Sequence, residues 1–174
     1  EITEQDVRIA GYVHEQGKPS LIIMNKWDTI EKDTNTVNQF NKMLDSSLKF
    51  MNYYCPLYIS ALTGQRVERI MKEAEKVYEN ASRRVSTGTL NDVLSDMIAV
   101  NEPPTKSGRR LRIYYCTQVS VNPPTFIFFV NDSALLHFSY KRYLENGLRK
   151  VFDFNGTPIS IIIRNKNEDD ALSN

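Results

Sequence analysis

The sequence predicts an α/β fold in two parts: a parallel sheet with flanking helices, followed by a smaller α+β domain. Helix and strand patterns alternate along the first half, whereas the second half has the order helix, strand, strand, helix, strand. A polar, glycine-ended segment, residues 80–88, lies between them. We therefore expect a first unit at 1–82, a linker at 83–88, a second unit at 89–166 and an acidic tail at 167–174.

The first half has the helix and strand order of a parallel sheet. A helix begins at a capping box formed by Thr3 and Asp6 and ends before Gly17. Apolar runs at 21–24 and 57–59 predict two buried parallel strands. Two amphipathic helices are expected from apolar side chains at helical spacing: Val37, Phe40, Met43, Leu44, Leu48 and Met51, then Val67, Ile70, Met71, Ala74, Val77, Tyr78 and Ala81.

Polar residues follow both predicted strands, at the sheet edge where parallel α/β folds bind ligands. The sequence Asn25-Lys26-Trp27-Asp28 follows the first strand, and Ser60-Ala61-Leu62 follows the second. The Asp28 carboxylate could accept two hydrogen bonds from the N1-H and 2-amino group of guanine, a pair of donors that adenine lacks.

The neighbouring residues suit the same role. Asn25 could brace the loop and contact the purine N7, Lys26 could lie along the base plane, and the N–H after Ser60 could donate to the 6-oxo group. Trp27 is interpreted as a packing residue. The alternative is an ordinary polar loop, but a buried strand before each cluster favours guanine recognition.

The second half has the pattern of a small sandwich of helices on one face of a three-stranded sheet, as in KH domains. Thr89 is expected to cap a helix, and strands are expected at 110–121 and 125–130. A helix should begin at Ser139, and a last strand is expected at 158–163.

Charge and glycine spacing bear on RNA binding by this half. Residues 87–166 hold ten Lys or Arg against six Asp or Glu, and no glycine pair has the GXXG spacing of the usual KH clamp. We predict phosphate contacts from a set of basic residues, with a solvated surface as the alternative: Lys106, Arg109, Arg110, Arg112, Lys141 and Arg142. Tyr114, Tyr115 and residues 126–129 are interpreted as core and strand packing rather than as base-stacking platforms.

Composition excludes several classes of protein. Of the 174 residues, 41% are hydrophobic, which is enough for packed cores, and no apolar run is long enough to span a membrane. No signal peptide is apparent, so we expect a cytoplasmic protein without membrane contact. Cys55 and Cys116 are expected to be buried and inert, and His14 and His137 lack partners at metal-ligand spacing.

Four stretches carry a resemblance to a known family: ITEQDVRIAGYVHEQGKPSLIIMNKWD, LKFMNYYCPLYISALTGQRVERI, RRLRIYYCTQVSVNPPTFIFFVND and YLENGLRKVFDFNGTPISI. Together they resemble the EngA (Der) family of bacterial tandem GTPases. The resemblance implies the back half of a second P-loop-type G domain followed by a complete KH-like domain. It also implies GTP or GDP as ligand, ribosomal RNA and the large ribosomal subunit as partners, and contact with upstream G domains of the same protein.

The resemblance assigns roles to the two polar loops. Asn25, Lys26 and Asp28 match the family's guanine-specificity motif, and Ser60, Ala61 and Leu62 match its last nucleotide-contacting loop.

This sequence departs from the family pattern in the motifs that GTP hydrolysis requires. We identify no G-x-x-x-x-G-K-[ST] loop to bind phosphates, no switch threonine and no D-x-x-G to orient magnesium. We expect this chain alone to be inactive, with Mg²⁺ bound only in the full-length protein. Two alternatives stay open: a stand-alone RNA-binding adaptor with a vestigial G domain, and a structural docking module.

Overall fold

A computed structural model describes residues 2–166, which form two mixed α/β units. The first unit contains the residues up to Ala81 together with Asn155–Pro158. The second contains Ser82–Phe154 and the residues from Ile159 onward. The predicted acidic tail, 167–174, lies outside the described residues.

The first unit has helices and strands in the expected alternation. Its elements are α1 (Glu4–Glu15), β1 (Ile22–Met24), α2 (Thr36–Ser47), β2 (Pro56–Tyr58) and α3 (Arg69–Ser82). The two strands pair in parallel, with Ile23 opposite Leu57. Because both strands run in the same direction, the loops that follow them leave from one edge of the sheet.

Helix α1 begins at the predicted capping box. The Asp6 N–H donates to Thr3 Oγ1 at 3.2 Å, and the Thr3 N–H donates to Asp6 Oδ2 at 2.9 Å. These bonds satisfy backbone donors that a helix terminus leaves unpaired. The core beside α1 contains Leu44, Leu48, Met51 and Tyr53, with Val7 and Ala10 of α1 packed against it.

The segment Asn155–Pro158 belongs to the first unit through backbone hydrogen bonds. The Gly156 N–H donates to the Tyr53 carbonyl at 2.6 Å, and the Ser20 N–H donates to the Gly156 carbonyl at 2.7 Å. The Asn80 side-chain amide donates to the Asn155 carbonyl at 3.1 Å. Gly156 has φ of 78°, and a Cβ there would meet the Val77 side chain, so glycine is required at this position.

The second unit is a three-stranded sheet with two helices packed on it. Its elements are α4 (Thr87–Val100), β3 (Thr105–Lys106), β4 (Arg109–Arg110), β5 (Ile113–Ser120), β6 (Thr125–Val130), α5 (Phe138–Phe152) and β7 (Ser160–Asn165). The sheet order is β5-β6-β7, with β6 antiparallel to β5 and parallel to β7. The core joins both helices to one sheet face, with these residues fully or almost fully buried: Leu90, Leu94, Cys116, Phe126, Phe128, Val130, Leu144 and Leu148.

Several boundaries differ from the sequence predictions. Helix α4 is capped by Ser86, which accepts from the Thr89 N–H at 3.2 Å, rather than by Thr89. Helix α5 begins at Phe138, one residue early, with His137 as its cap. The last strand begins at Ser160 instead of at residue 158, and Pro158 has no N–H to donate to a strand ladder.

The segment predicted as a linker is bonded to β5. The buried Gln118 side chain accepts from the Val85 N–H at 2.8 Å and donates to the Arg83 carbonyl at 2.9 Å. The Arg84 guanidinium donates to the Gln118 carbonyl at 3.0 Å. These bonds fix the backbone just before α4.

A short hairpin precedes the three-stranded sheet and was not predicted. Lys106 pairs with Arg109 across a two-residue turn in which Ser107 and Gly108 have φ of 52° and 76°. Positive φ at both central residues is the geometry of tight hairpin turns, and glycine adopts it without steric cost. The single strand expected from residue 110 onward is therefore divided into β4 and β5.

Three predictions of burial were wrong. Cys55 is exposed, whereas Cys116 is buried as expected, and burial raises the pKa of the Cys116 thiol to about 12. Tyr114 and Tyr115 are 46% and 38% exposed and do not lie in the core, whereas the predicted strand packing is confirmed for Tyr115, whose ring stacks on that of Phe129. The run Phe126–Phe129 is buried, as the sequence predicted.

Candidate nucleotide and nucleic-acid sites

Backbone hydrogen bonds beyond the ends of β1 and β2 hold the two polar loops together. The Ile59 N–H donates to the Met24 carbonyl and the Trp27 N–H donates to the Ile59 carbonyl, both at 2.9 Å. The Trp27 side chain is 3% exposed and its ring lies 4.4 Å from that of Tyr58. Trp27 is thus a packing residue, as predicted, and it anchors the loop that carries Asn25, Lys26 and Asp28.

Asn25 connects the loops directly. Its side-chain oxygen accepts a hydrogen bond of 3.0 Å from the Ala61 N–H. The next residue, Lys26, is exposed and has φ of 62°, in the left-handed region that non-glycine residues seldom adopt. The Thr29 hydroxyl donates to the Lys26 carbonyl at 2.9 Å, which stabilises this turn.

Asp28 lies beside Ser60, the first residue of the second loop. The Ser60 hydroxyl lowers the pKa of Asp28 below the ordinary value of 3.8, with a smaller favourable contribution from the charge of Lys32. Oδ1 of Asp28 is shielded from solvent and has no hydrogen-bond partner among residues 2–166. A carboxylate oxygen without a partner is costly to bury, so Oδ1 has unused capacity to accept a hydrogen bond.

The second loop is braced by residues that the sequence analysis did not single out. Ser60 is fully buried, and its Oγ accepts from the Thr63 N–H at 3.1 Å. Its own N–H donates to the Gln65 carbonyl at 3.1 Å. Gly64 has φ of 77°, which allows the chain to turn back tightly towards Ser60. The glycine four residues after Ser60 is the feature of the sequence that could have indicated this turn. Leu62 is 88% exposed.

This geometry is compatible with recognition of a planar base. Of the six residues predicted to contact nucleotide, Asn25, Asp28, Ser60 and Ala61 are joined by direct interactions, whereas Lys26 and Leu62 are exposed beside them. One carboxylate with an available acceptor next to exposed backbone and side-chain groups can discriminate between bases by hydrogen bonding.

The basic residues predicted for RNA binding form two sets. Three of them are already engaged: Arg109 pairs with Asp132 at 3.1 Å, Arg110 pairs with Glu102, and Lys106 Nζ donates to the Ala134 carbonyl at 3.3 Å. The other three are exposed and form no ion pair within the described part of the chain: Arg112, Lys141 and Arg142.

Two kinds of feature are absent from the described residues. Between residues 2 and 166, no cluster of His, Cys, Asp or Glu side chains has the arrangement of a metal site. Over the same range, no helix has the length and apolar character needed to cross a membrane. His14 Nδ1 lies 2.8 Å from the Tyr53 hydroxyl, and His137 caps α5, so both histidines have structural contacts.

One D-x-x-G sequence, which lies outside the predicted nucleotide unit at 1–82, was overlooked in the sequence analysis. It spans Asp153 to Gly156, where Asp153 ends α5 with φ of 49°. Its glycine packs on Val77. These residues are explained by helix termination and packing.

Comparison with known proteins gives a consistent result. Residues 84–164 match a family described as KH-domain-like of EngA bacterial GTPase enzymes, C-terminal. Proteins called GTPase Der match along most of the chain. That of Leuconostoc citreum is 52% identical over 163 residues, 94% of this chain and 37% of the relative. That of Clostridium perfringens is 56% identical over 167 residues, 96% of this chain and 38% of the relative. The chain thus spans less than two fifths of the length of these curated relatives.

Proposed function

Since this chain belongs to the Der (EngA) family of bacterial GTPases and corresponds to its C-terminal part, we propose that it supplies the guanine-recognition loops and the KH-like domain of a longer GTPase. In this proposal, residues 1–82 are the back half of a G domain, and GTP or GDP is the ligand. Magnesium and the phosphate-binding loop come from the complete protein. The biological role is assembly of the large ribosomal subunit in the cytoplasm.

The junction of the two loops supports nucleotide binding. The hydrogen bond from the Ala61 N–H to Asn25 fixes the loops side by side, and Asp28 keeps Oδ1 available beside the Ser60 hydroxyl. Asp28 accepts from the guanine N1-H and 2-amino groups, and Lys26 covers the base plane. The backbone after Ser60 recognises the 6-oxo group.

The decisive experiment tests whether a substitution at Asp28 changes the base preference of the complete GTPase. The change Asp28→Asn replaces an acceptor by an amide that presents an N–H, so GTP binding should weaken by several kcal/mol, about 2 or more. Xanthosine triphosphate should gain affinity, because its 2-oxo group can accept from that N–H. Asp33→Asn, in the neighbouring polar loop, is the matched control and should leave the preference for GTP unchanged. Equal affinities of wild type and Asp28→Asn for both nucleotides would rule out this assignment.

The KH-like domain contacts ribosomal RNA in this proposal, through phosphates rather than through a nucleotide clamp. The exposed side chains of Arg112, Lys141 and Arg142 support it, together with the absence of a GXXG sequence. The 174-residue chain by itself should release no phosphate from GTP, because its first half has no phosphate-binding loop. Turnover above a no-protein control that Asp28→Asn abolishes would contradict this expectation.

A further inference from the structure

One face of the three-stranded sheet carries aromatic side chains outside the core formed with α4 and α5. Along β6, Phe126, Phe128 and Val130 belong to that core, so the alternate residues Ile127 and Phe129 lie on the opposite face. We call this opposite side the open face. Its outer positions are partly exposed: Val119 of β5 is 47% exposed and Ile162 of β7 is 39% exposed.

Two consecutive tyrosines are exposed at one end of this sheet. The pairing of β5 with β6 shifts between Ile113 and Tyr115, an irregularity that breaks the strict alternation of side chains. Tyr115 stacks on Phe129 with ring centroids 4.4 Å apart and planes inclined by 18°. Phe129 is only 7% exposed, so the Tyr115 ring rests on a buried support while 38% of the residue faces solvent.

One cation lies against a tyrosine ring, and a second lies on the same face of the sheet. Lys166 Nζ lies 4.9 Å from the centroid of the Tyr114 ring. Arg164 is the strand partner of Phe129, which in turn is the partner of Tyr115, so all three side chains occupy the open face. The strands β5, β6 and β7 contain no Asp or Glu.

We propose that the open face binds unpaired bases of single-stranded RNA, with Tyr114 and Tyr115 stacking on two bases and Lys166 contacting an adjoining phosphate. The inference rests on the proposed RNA contact of the KH-like domain and adds a base-stacking site to it. Aromatic rings interleaved with cations are the combination that binds single strands with little sequence preference. At the end of the sheet that carries the tyrosines, Lys166 lies against an exposed ring, and this cation favours a partner with phosphates over the charge-depleted centre of a protein interface.

The test uses the whole 174-residue chain and two RNA probes, a labelled oligouridine of about twelve nucleotides and a duplex of the same length. Tyr114→Leu and Tyr115→Leu remove a ring but keep apolar volume, and Tyr115→Phe keeps the ring. Tyr78→Leu, at a 62% exposed tyrosine of α3, is the matched control. Circular dichroism establishes that each variant is folded, and Tyr114→Leu keeps the test valid even if Tyr115→Leu unfolds.

Each leucine variant should weaken oligouridine binding roughly tenfold, the effect of losing one stacked base. Tyr115→Phe, Tyr78→Leu and all duplex affinities should stay within about twofold of wild type. A 2-aminopurine placed in the oligouridine should lose fluorescence on binding wild type and recover it in the leucine variants.

Three results would overturn the proposal, each in a different way. Oligouridine binding that is insensitive to both leucine variants would remove the stacking site and leave phosphate contact intact. Absence of RNA binding at low salt would remove both this site and the proposed RNA contact. A change confined to the oligomeric state of the leucine variants, seen by sedimentation, would assign the open face to a protein partner instead.

Discussion

The side-chain oxygen of Asn25 accepts a hydrogen bond from the backbone N–H of Ala61, thirty-six positions later in the chain. This single bond holds the two loops of the candidate nucleotide site beside each other. Because the donor is the backbone N–H of Ala61, the presence or loss of this bond indicates whether the two loops are held together.

Asn25→Ala should release the Ala61 amide. A net loss of about 0.5–1.5 kcal/mol in unfolding free energy is expected, because solvent can replace the lost acceptor in part. Amide hydrogen exchange at Ala61 should accelerate. Asn38→Ala, which removes only a weak 3.4 Å contact to Asn35, is the control and should leave that amide protected. Unchanged exchange at Ala61 in the Asn25 variant would contradict the structure.

Ser60→Ala should raise the pKa of Asp28 towards 3.8, since the Ser60 hydroxyl is the main cause of its depression. A depressed pKa means that ionised Asp28 stabilises the fold above 3.8 and that this contribution disappears as pH falls through the folded pKa. The variant should therefore lose less stability on acidification. The Asp28 carboxyl carbon can be followed by NMR titration. A titration identical to that of wild type would show that the hydroxyl does not act on this group.

Gly156→Ala should destabilise the first unit. The new methyl group would meet both γ-carbons of Val77, one of them at 2.8 Å, and φ of 78° is unfavourable for alanine. Overpacking and strain together predict a loss of about 2–4 kcal/mol in chemical denaturation. Gly11→Ala is the opposite case: it lies inside α1 with nothing within 4 Å, so it should stabilise by about 0.5–1 kcal/mol. Similar effects of the two changes would mean that the packing around Gly156 is wrong.

RNA affinity should depend on salt through the cations that have no ion pair. Three phosphate contacts from Arg112, Lys141 and Arg142 predict a slope of about −2 to −3 in log affinity against log salt. Arg112→Ala should reduce its magnitude by about 0.7–0.9. Arg109→Ala should change it less, because Asp132 already neutralises that guanidinium. Fluorescence anisotropy at four salt concentrations measures these slopes, and a flat dependence for wild type would refute phosphate contact.

The sequence predicted the elements that have strong periodicity. The parallel strands followed from continuous apolar runs, and the capping box from Thr3 and Asp6. The proximity of the loops after β1 and β2 followed from the predicted parallel pairing, so most of the candidate site could be predicted from the sequence alone. The bond between Asn25 and Ala61 needed the structure, because strand order does not specify side-chain partners.

The features missed by sequence analysis are those without local periodicity. Each strand of the β3–β4 hairpin has only two residues, all of them polar or charged, which is too few for an alternating pattern. Tyr114 and Tyr115 lie where a register shift interrupts alternation, so their apolar character wrongly suggested burial. Segment Asn155–Pro158 contacts residues 75 or more positions earlier, a distance at which composition carries no information.

The discontinuous first unit restricts how this protein can be dissected. Because Gly156 supplies the acceptor for Ser20 and the donor for Tyr53, a polypeptide ending at residue 82 would leave both backbone groups without their partners. One cleavage cannot separate the two units with their native hydrogen bonds intact. To keep these hydrogen bonds, a polypeptide of the first unit alone has to include residues 155–158 joined to it by a new connection.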